Sequence, residues 1–331
     1  MTTIERIELR QLNLDLIRPY KVSFNSFTAF QPLIAVVTDS EGRTGFGDAE
    51  ITPGYSHETP EGGWQLISNL VDRIVGQSVE DAKQIVKTAI STDPSAASVL
   101  YVALEMLAGH AQFNPTCDAV VPLLQPINSF DIAAIPDEVE ETLAEGFGTL
   151  KIKVGFNVED DLARLNAIQD ANAGRARLRI DANRAYTAEQ GRQFASSLDP
   201  QDIELFEQPC GVDDWTGHEA VAEVSRVPVM IDESIYNFAD IDRAGAIPGV
   251  GFVKLKLKKM GGVDLLCEGL QRIREHGMKP VLGDGTATDI GCWQEACVAR
   301  TMIDNAGEMN GFLKFKVNLF EQNLVFEDGA I

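Results

Sequence analysis

The sequence predicts an α/β protein, a parallel β/α barrel preceded by a separate α+β unit, and three observations carry that expectation. Between Leu150 and Gly262 five short segments, TLKIKVG, RLRIDAN, ELFEQP, VMIDES and KLKLKKMGG, each place a charged residue near their end. Lys153, Asp181, Glu207, Asp232 and Lys256 follow one another at 28, 26, 25 and 24 residues, about the length of one strand, one helix and two loops. Alternation within the first segment turns Leu150, Ile152 and Val154 outward to helices and Lys151 and Lys153 toward the barrel axis. Every charge then lies at the C-terminal end of a strand, where parallel barrels carry their chemistry.

A chain of 331 residues, 44% apolar, is long enough for a barrel and a modest partner domain. The formal charge of −22 makes nucleic acid and anionic membranes poor partners. No apolar run is long enough to span a bilayer. The opening residues MTTIERIELRQLNL lack a basic start and an apolar signal core, so a soluble cytoplasmic protein is expected. Five scattered cysteines argue against a disulfide framework, and without a C-x-x-C pair a zinc site is not expected.

Residues 1–117 read as the α+β unit. Ile7 to Leu14 and Leu33 to Thr38 are strand-like, EGRTG is a hairpin turn, and helical patterns run from Gly63 to Val75, Glu80 to Ala89 and Ala96 to Ala111. Arg18 to Phe30 and Ile51 to Gly62 read as loops rich in Pro, Gly, Ser and aromatics, where Arg18 and Lys21 are candidates for holding an anion and Phe24, Phe27 and Phe30 for an apolar wall. Residues 118–315 alternate strand with helix, beginning at VPLLQPI. Asn157 caps a helix with Val158, Leu162, Leu165 and Ile168 on one face, and Thr187 with Gln190 forms a capping box. A helix runs from Ile290 to Ile303, and the tail from residue 316 to 331 reads as strands or loop.

The K-x-K of Lys151 and Lys153, the D-x-N of Asp181 and Asn183, the E-Q-P at Glu207, the D-E-S at Asp232 and the K-x-x-K-x-G-G from Lys256 form an ordered set. It resembles the enolase superfamily and, within it, the muconate lactonizing enzyme subgroup of the mandelate racemase/muconate lactonizing enzyme family. The resemblance implies a modified TIM (β/α)7β barrel, an α+β capping domain whose loops close over the barrel mouth, and a C-terminal segment returning toward that domain. It also implies a homo-oligomer and a small-molecule carboxylate substrate.

Three carboxylates on adjacent strands, Asp181, Glu207 and Asp232, would repel one another without a cation, and all-oxygen ligation suits a hard divalent ion, Mg²⁺ or alternatively Mn²⁺. The competing expectation is that each pairs with a basic residue inside the barrel, with Arg177, Arg179 and Lys254 as candidates. Lys153 and Lys256, on the second and sixth strands, face each other across the barrel as an acid/base pair. Lys151 would lower the pKa of Lys153 and contact the substrate carboxylate. Asn183 and Gln208 would orient the metal ligands, and Asp284, where relatives carry a different acidic pattern, is a candidate substrate contact. Lys151, Lys153, Arg179, Lys254 and Lys256 outnumber the inward acids, so a locally positive site is expected. His57 is a candidate substrate contact, while His110, His218 and His276 read as structural.

The chemistry implied is abstraction of the α-proton of a carboxylate through an enediolate, leading to racemisation or epimerisation of an amino acid derivative. Cycloisomerisation of the muconate type, o-succinylbenzoate synthesis and hydroxyproline-type dehydration are the alternatives on the same site. A non-catalytic metal-binding barrel is the alternative of another class. Dipeptide epimerases commonly carry a D-x-D near the eighth strand, and this chain has none there.

Overall fold

The computed structural model describes residues 2–22 and 25–331. The N-terminal unit opens with β1 (Ile4–Gln11), a hairpin of β2 (Leu14–Val22) and β3 (Asn25–Phe30), then β4 (Leu33–Asp39) and β5 (Thr44–Ala49). β1, β4 and β5 form one antiparallel sheet and the hairpin a second. Three helices follow, α1 (Pro60–Ile74), α2 (Val79–Ile90) and α3 (Pro94–Leu107). The Thr59 hydroxyl accepts from the Gly62 amide and the Ser78 hydroxyl from the Asp81 amide, so each of the first two helices starts at a side-chain cap.

The stretch from Arg18 to Phe30, expected as a loop, is largely hairpin. It is held by a partner remote in sequence: the Ile17 amide donates to the Lys314 carbonyl, the Lys316 amide donates to Asp15, and Leu16, Phe30 and Phe315 pack as a small core. Phe30 is therefore structural. Phe24 and the side chain of Lys21 lie outside the described residues.

β5 carries glycine at positions 45 and 47 because α3 lies directly on it. A Cβ at either would overlap the carbonyl oxygens of Ala103 and Val99. The same helix reaches the barrel, where Glu105 accepts from the amides of Val263 (2.7 Å) and Asp264 (3.2 Å).

The second unit runs β6 (Gln125–Ile127), α4 (Ile135–Ala144), β7 (Thr149–Lys153), α5 (Val158–Asn172), β8 (Arg177–Asp181), α6 (Ala188–Ser197), β9 (Ile203–Glu207) and α7 (Trp215–Val224). It continues through β10 (Val229–Ile231), α8 (Phe238–Gly245), β11 (Val250–Leu255), α9 (Leu257–Met260), α10 (Val263–Glu275), β12 (Lys279–Leu282) and α11 (Asp289–Met302). The seven strands are parallel and ordered in space as in sequence, from β6 to β12. An extended segment around Gly307 closes the circle: the Glu308 amide donates to Leu282 beside β12, and Gly307 bridges Leu123 ahead of β6. Leu150, Ile152 and Val154 are buried against the outer helices, as alternation requires.

Asn157 accepts from the amides of Glu159 and Asp160, and Thr187 with Gln190 forms the expected capping box. The C-terminal tail meets the N-terminal unit at residues 314–316 and then runs back along the barrel, where Val121 exchanges backbone hydrogen bonds with Ile331. Among the described residues no helix is long and apolar enough to cross a membrane.

On α11, Glu295 ties two strand ends together, accepting from the amides of Leu257 (2.9 Å) and Asp284 (2.7 Å). Burial, followed by the nearby Asp284, pushes its pKa up to about 8. A raised folded-state pKa contributes stability below the unfolded value that is lost as pH rises. Between pH 5 and 8.5 the melting temperature of the wild type should therefore fall relative to that of Glu295→Gln, and parallel curves would contradict this. Gly47→Ala should destabilise by about 1–3 kcal/mol through overpacking against α3, read by chemical denaturation.

Candidate active site

The expected residues come together at the C-terminal ends of consecutive barrel strands. Lys153 ends β7, Asp181 ends β8 and Glu207 ends β9, and in register Lys153 stands beside Asp181 and Asp181 beside Glu207. Asp232 follows β10, Lys256 follows β11 and Asp284 lies two residues beyond β12. Asp181, Glu207, Asp232, Lys151, Lys256 and Asp284 are all at most 4% exposed.

The carboxylates are bridged by lysines. Lys151 Nζ lies 2.9 Å from Asp181 Oδ2, 2.9 Å from Glu207 Oε2 and 2.8 Å from Glu308 Oε2. Lys153 donates to Asp181 Oδ2 (2.5 Å) and Asn183 Oδ1 (2.6 Å). Lys256 donates to both oxygens of Asp232 at 2.5 Å. Lys254 pairs with Glu308 and Glu207.

Of the basic residues named as competing partners only Lys254 takes part. Arg179 turns away to Glu204 (2.6 Å) and the Ala306 carbonyl (2.8 Å). The locally positive site expected from strand-end residues is therefore corrected. Arg179 does not contribute, and Glu233, Glu308 and Glu50 line the same cavity and balance the lysines.

Burial works against ionised Asp181, but Lys151 and Lys153 more than offset it and hold the carboxyl at about 2. For Lys153 burial lowers the pKa, Asp181 raises it and Lys151 lowers it as expected, with a net shift upward. The expectation of a depressed Lys153 is thus overturned by the carboxylate at 2.5 Å.

Asn183 and Gln208 have left-handed backbones, with φ of 41° and 40°, a conformation that non-glycine residues hold only where surrounding contacts impose it. The Asn183 amide donates to Asp181 Oδ1 (2.8 Å) and its side chain to Glu233 Oε1 (3.1 Å). Gln208 accepts from the Asp232 amide (3.0 Å) and donates to Ser234 Oγ (2.7 Å) beside the buried His218. Both therefore brace the strand ends that present the acids. His218 is structural, and burial lowers its pKa to about 4.

A cavity of about 70 Å³ is lined by Lys151, Lys153, Asp181, Asp232, Lys256 and Asp284. A second cavity of about 350 Å³ shares Tyr20, Lys153 and Glu308 with it and opens past Arg18 and Lys314. The capping elements contribute two tyrosines that the sequence reading missed. Tyr55 accepts from Lys256 Nζ (2.9 Å) and donates to Asp232 Oδ2 (3.3 Å), and Tyr20 lines both cavities. His57 lines the cavity but its ring nitrogen is engaged with the Thr92 carbonyl (2.7 Å). Asp284 accepts from Thr286 Oγ1 (2.8 Å) and pairs with Lys258 (2.6 Å).

Glu308 was also missed, because it lies outside the five motifs in a segment with no strand pattern. Glu308 and Asn310 form an E-x-N at the eighth barrel position. In donor type the mouth acids suit a hard cation: three buried carboxylates on neighbouring strands, now spaced around the ammonium groups that bridge them, and beside them Glu233, whose buried Oε2 has no hydrogen-bond partner among the described residues. Elsewhere, Glu105, His110 and Asp264 bring ligand atoms within 4.8 Å of one another, but there Glu105 already caps α10.

Comparison with known proteins agrees with this architecture. The chain is 26% identical over 292 residues to the L-Ala-D/L-Glu epimerase of Clostridium acetobutylicum, covering 85% of this chain and 82% of that protein. It is 26% identical over 274 residues to the o-succinylbenzoate synthase of Geobacillus kaustophilus, covering 78% and 72%. The structure of muconate lactonizing enzyme from Pseudomonas fluorescens complexed with muconolactone superposes with a TM-score of 0.90 at 22% identity, covering 99% of this chain and 93% of that one. Residues 134–331 match the Enolase C-terminal domain-like family, and the chain belongs to that family.

Proposed function

We propose that this protein is a divalent-metal-dependent enzyme that removes and returns the α-proton of a carboxylate substrate, racemising or epimerising an amino acid derivative. The observation that carries the reading is the pair Lys153 and Lys256, which reach one cavity from the second and sixth strands with three carboxylates on the strands between them. Each lysine is fixed in a similar way. Lys153 rests on Asp181 and the Asn183 amide, and Lys256 on Asp232 and the Tyr55 hydroxyl.

Asp181, Glu207 and Asp232 would hold the ion, Mg²⁺ or Mn²⁺. When bound it would take up the negative charge that develops on the substrate carboxylate as the proton leaves. The neutral form of one lysine accepts the proton from one face of the α-carbon, and the ammonium of the other delivers a proton to the opposite face. Lys151, held by Glu308, places a fixed positive charge beside the substrate carboxylate, and Asp284 forms part of the wall near Lys256. Asn183 and Gln208 keep the acids in place through the hydrogen bonds described above.

A structural metal would not need two lysines facing one cavity, which disfavours a non-catalytic barrel. The o-succinylbenzoate synthase is also 26% identical, over a somewhat smaller share of both chains than the epimerase. A lyase or cycloisomerase reaction starting from the same proton abstraction is thus the second reading. Relatives named as dipeptide epimerases support a dipeptide among the candidate derivatives, against which stands only that Glu308 at the eighth position is already paired with Lys151 and Lys254.

In D₂O with Mg²⁺, NMR of pooled amino acid derivatives should show α-proton exchange with inversion. Lys153→Ala and Lys256→Ala should each lower exchange by roughly 10²–10⁴, from opposite faces of the carbon. Unchanged turnover in the double variant would sink the proposal. Mg²⁺ at about one hundred times its Kd should stabilise the wild type by about 2.7 kcal/mol, and Asp232→Asn should abolish most of that gain. Equal stabilisation of both proteins would remove Asp232 from the ligand set.

A further inference from the structure

Building on the α-proton reading above, we infer that the substrate carries a cationic amine close to its reacting carbon and that Glu50 receives it on the Lys256 side of the cavity. Glu50 directly follows β5, is 4% exposed and lines the same cavity as Lys256. Its carboxyl takes a hydrogen bond from the Gln31 backbone, while Oε2 has no donor among the described residues.

The neighbouring cation cannot serve it. Lys258 Nζ donates to the backbone carbonyl of Glu50 (2.7 Å) and to Thr286 Oγ1 (3.1 Å), and it pairs with Asp284 Oδ2 (2.6 Å). Those contacts commit the ammonium to the Glu50 carbonyl, Thr286 and Asp284 rather than to the Glu50 carboxylate. Asp284 Oδ1 is likewise occupied by the Thr286 hydroxyl and amide. Two buried carboxylates thus flank one ammonium: Asp284 has it as counter-charge, and the Glu50 carboxylate, which lines the cavity, has no ion pair among the described residues. Burial pushes Glu50 up to about 7 despite Lys258, the behaviour of an acid lacking a counter-charge.

An anionic group would be repelled there, and a neutral amide would bring a hydrogen but no charge. A protonated amine supplies both. The small volume shared by Glu50 and Lys256 puts that amine on the α-carbon or within a few bonds of it. The substrate class is therefore amino acids with a free or N-alkylated amine, as against N-acylated ones.

The test is calorimetric titration at pH 8 in saturating Mg²⁺, using the common L-amino acids, N-methyl-L-proline and the N-acetyl counterpart of each. With the wild type a cationic member should bind about tenfold or more tightly than its N-acetyl partner, and Glu50→Gln should remove that preference while leaving N-acetyl binding within about twofold. Glu50→Gln should melt at the same temperature or higher, because it removes an unpaired buried charge. The inference is overturned if N-acetyl forms bind as well, if no cationic member binds, or if the variant weakens both classes alike. Solvent exchange of the α-proton, followed on the same ligands, separates the two claims. An amine preference that depends on Glu50 but comes without exchange upholds the subsite and removes the reaction; exchange confined to N-acetyl forms does the reverse.

Discussion

The structure depends on one electrostatic constraint: charges withdrawn from water at the barrel mouth must neutralise one another across neighbouring strands. Parallel register sets Lys153, Asp181 and Glu207 side by side, and two residues deeper on β7 Lys151 touches two of the acids and Glu308 of the closing segment. An isolated buried charge would cost several kcal/mol, so removing any one member leaves its neighbours uncompensated. Such a lattice holds Lys153 and Lys256 in fixed positions. It also ties up the acids, so any ligand that enters must replace an ion pair with an interaction at least as good.

The N-terminal unit completes this arrangement. Tyr55 closes on Lys256 and Asp232, the carbonyl of Glu50 anchors Lys258, and Glu105 caps α10 at the barrel's flank. These contacts link residues more than 150 positions apart in the chain. Tyr55 and Glu50 line the cavity beside Lys256, and such cover strengthens charge interactions by limiting the approach of water.

Much of this was legible in the sequence because it obeys short-range rules. A two-residue alternation placed Lys151 and Lys153 inward, a spacing of about 26 residues counted the strands, and the caps at Asn157 and Thr187 follow from side chains that accept local amides. The parts that were not legible depend on partners far away in sequence. The hairpin of β2 and β3 exists because residues 314–316 pair with it, the inward Glu308 belongs to a closing segment too short to show a period, and Tyr55 lies in a loop whose direction no pattern encodes. The miscounted charge balance has the same origin, since Arg179 finds Glu204 one strand over and so leaves the group it was assigned to.

The upward shift of Lys153 also bears on mechanism. A base facing a carboxylate at 2.5 Å is held protonated by that carboxylate, so whatever draws Asp181 away toward another positive charge releases the lysine to act. Lys256 likewise lies 2.5 Å from a proposed ligand, Asp232. The proposed ligand set and the proposed acid/base pair therefore share their partners: occupation of Asp181 and Asp232 by an ion would weaken the hold on both lysines together. For Lys153, metal binding and base activation would then be one event.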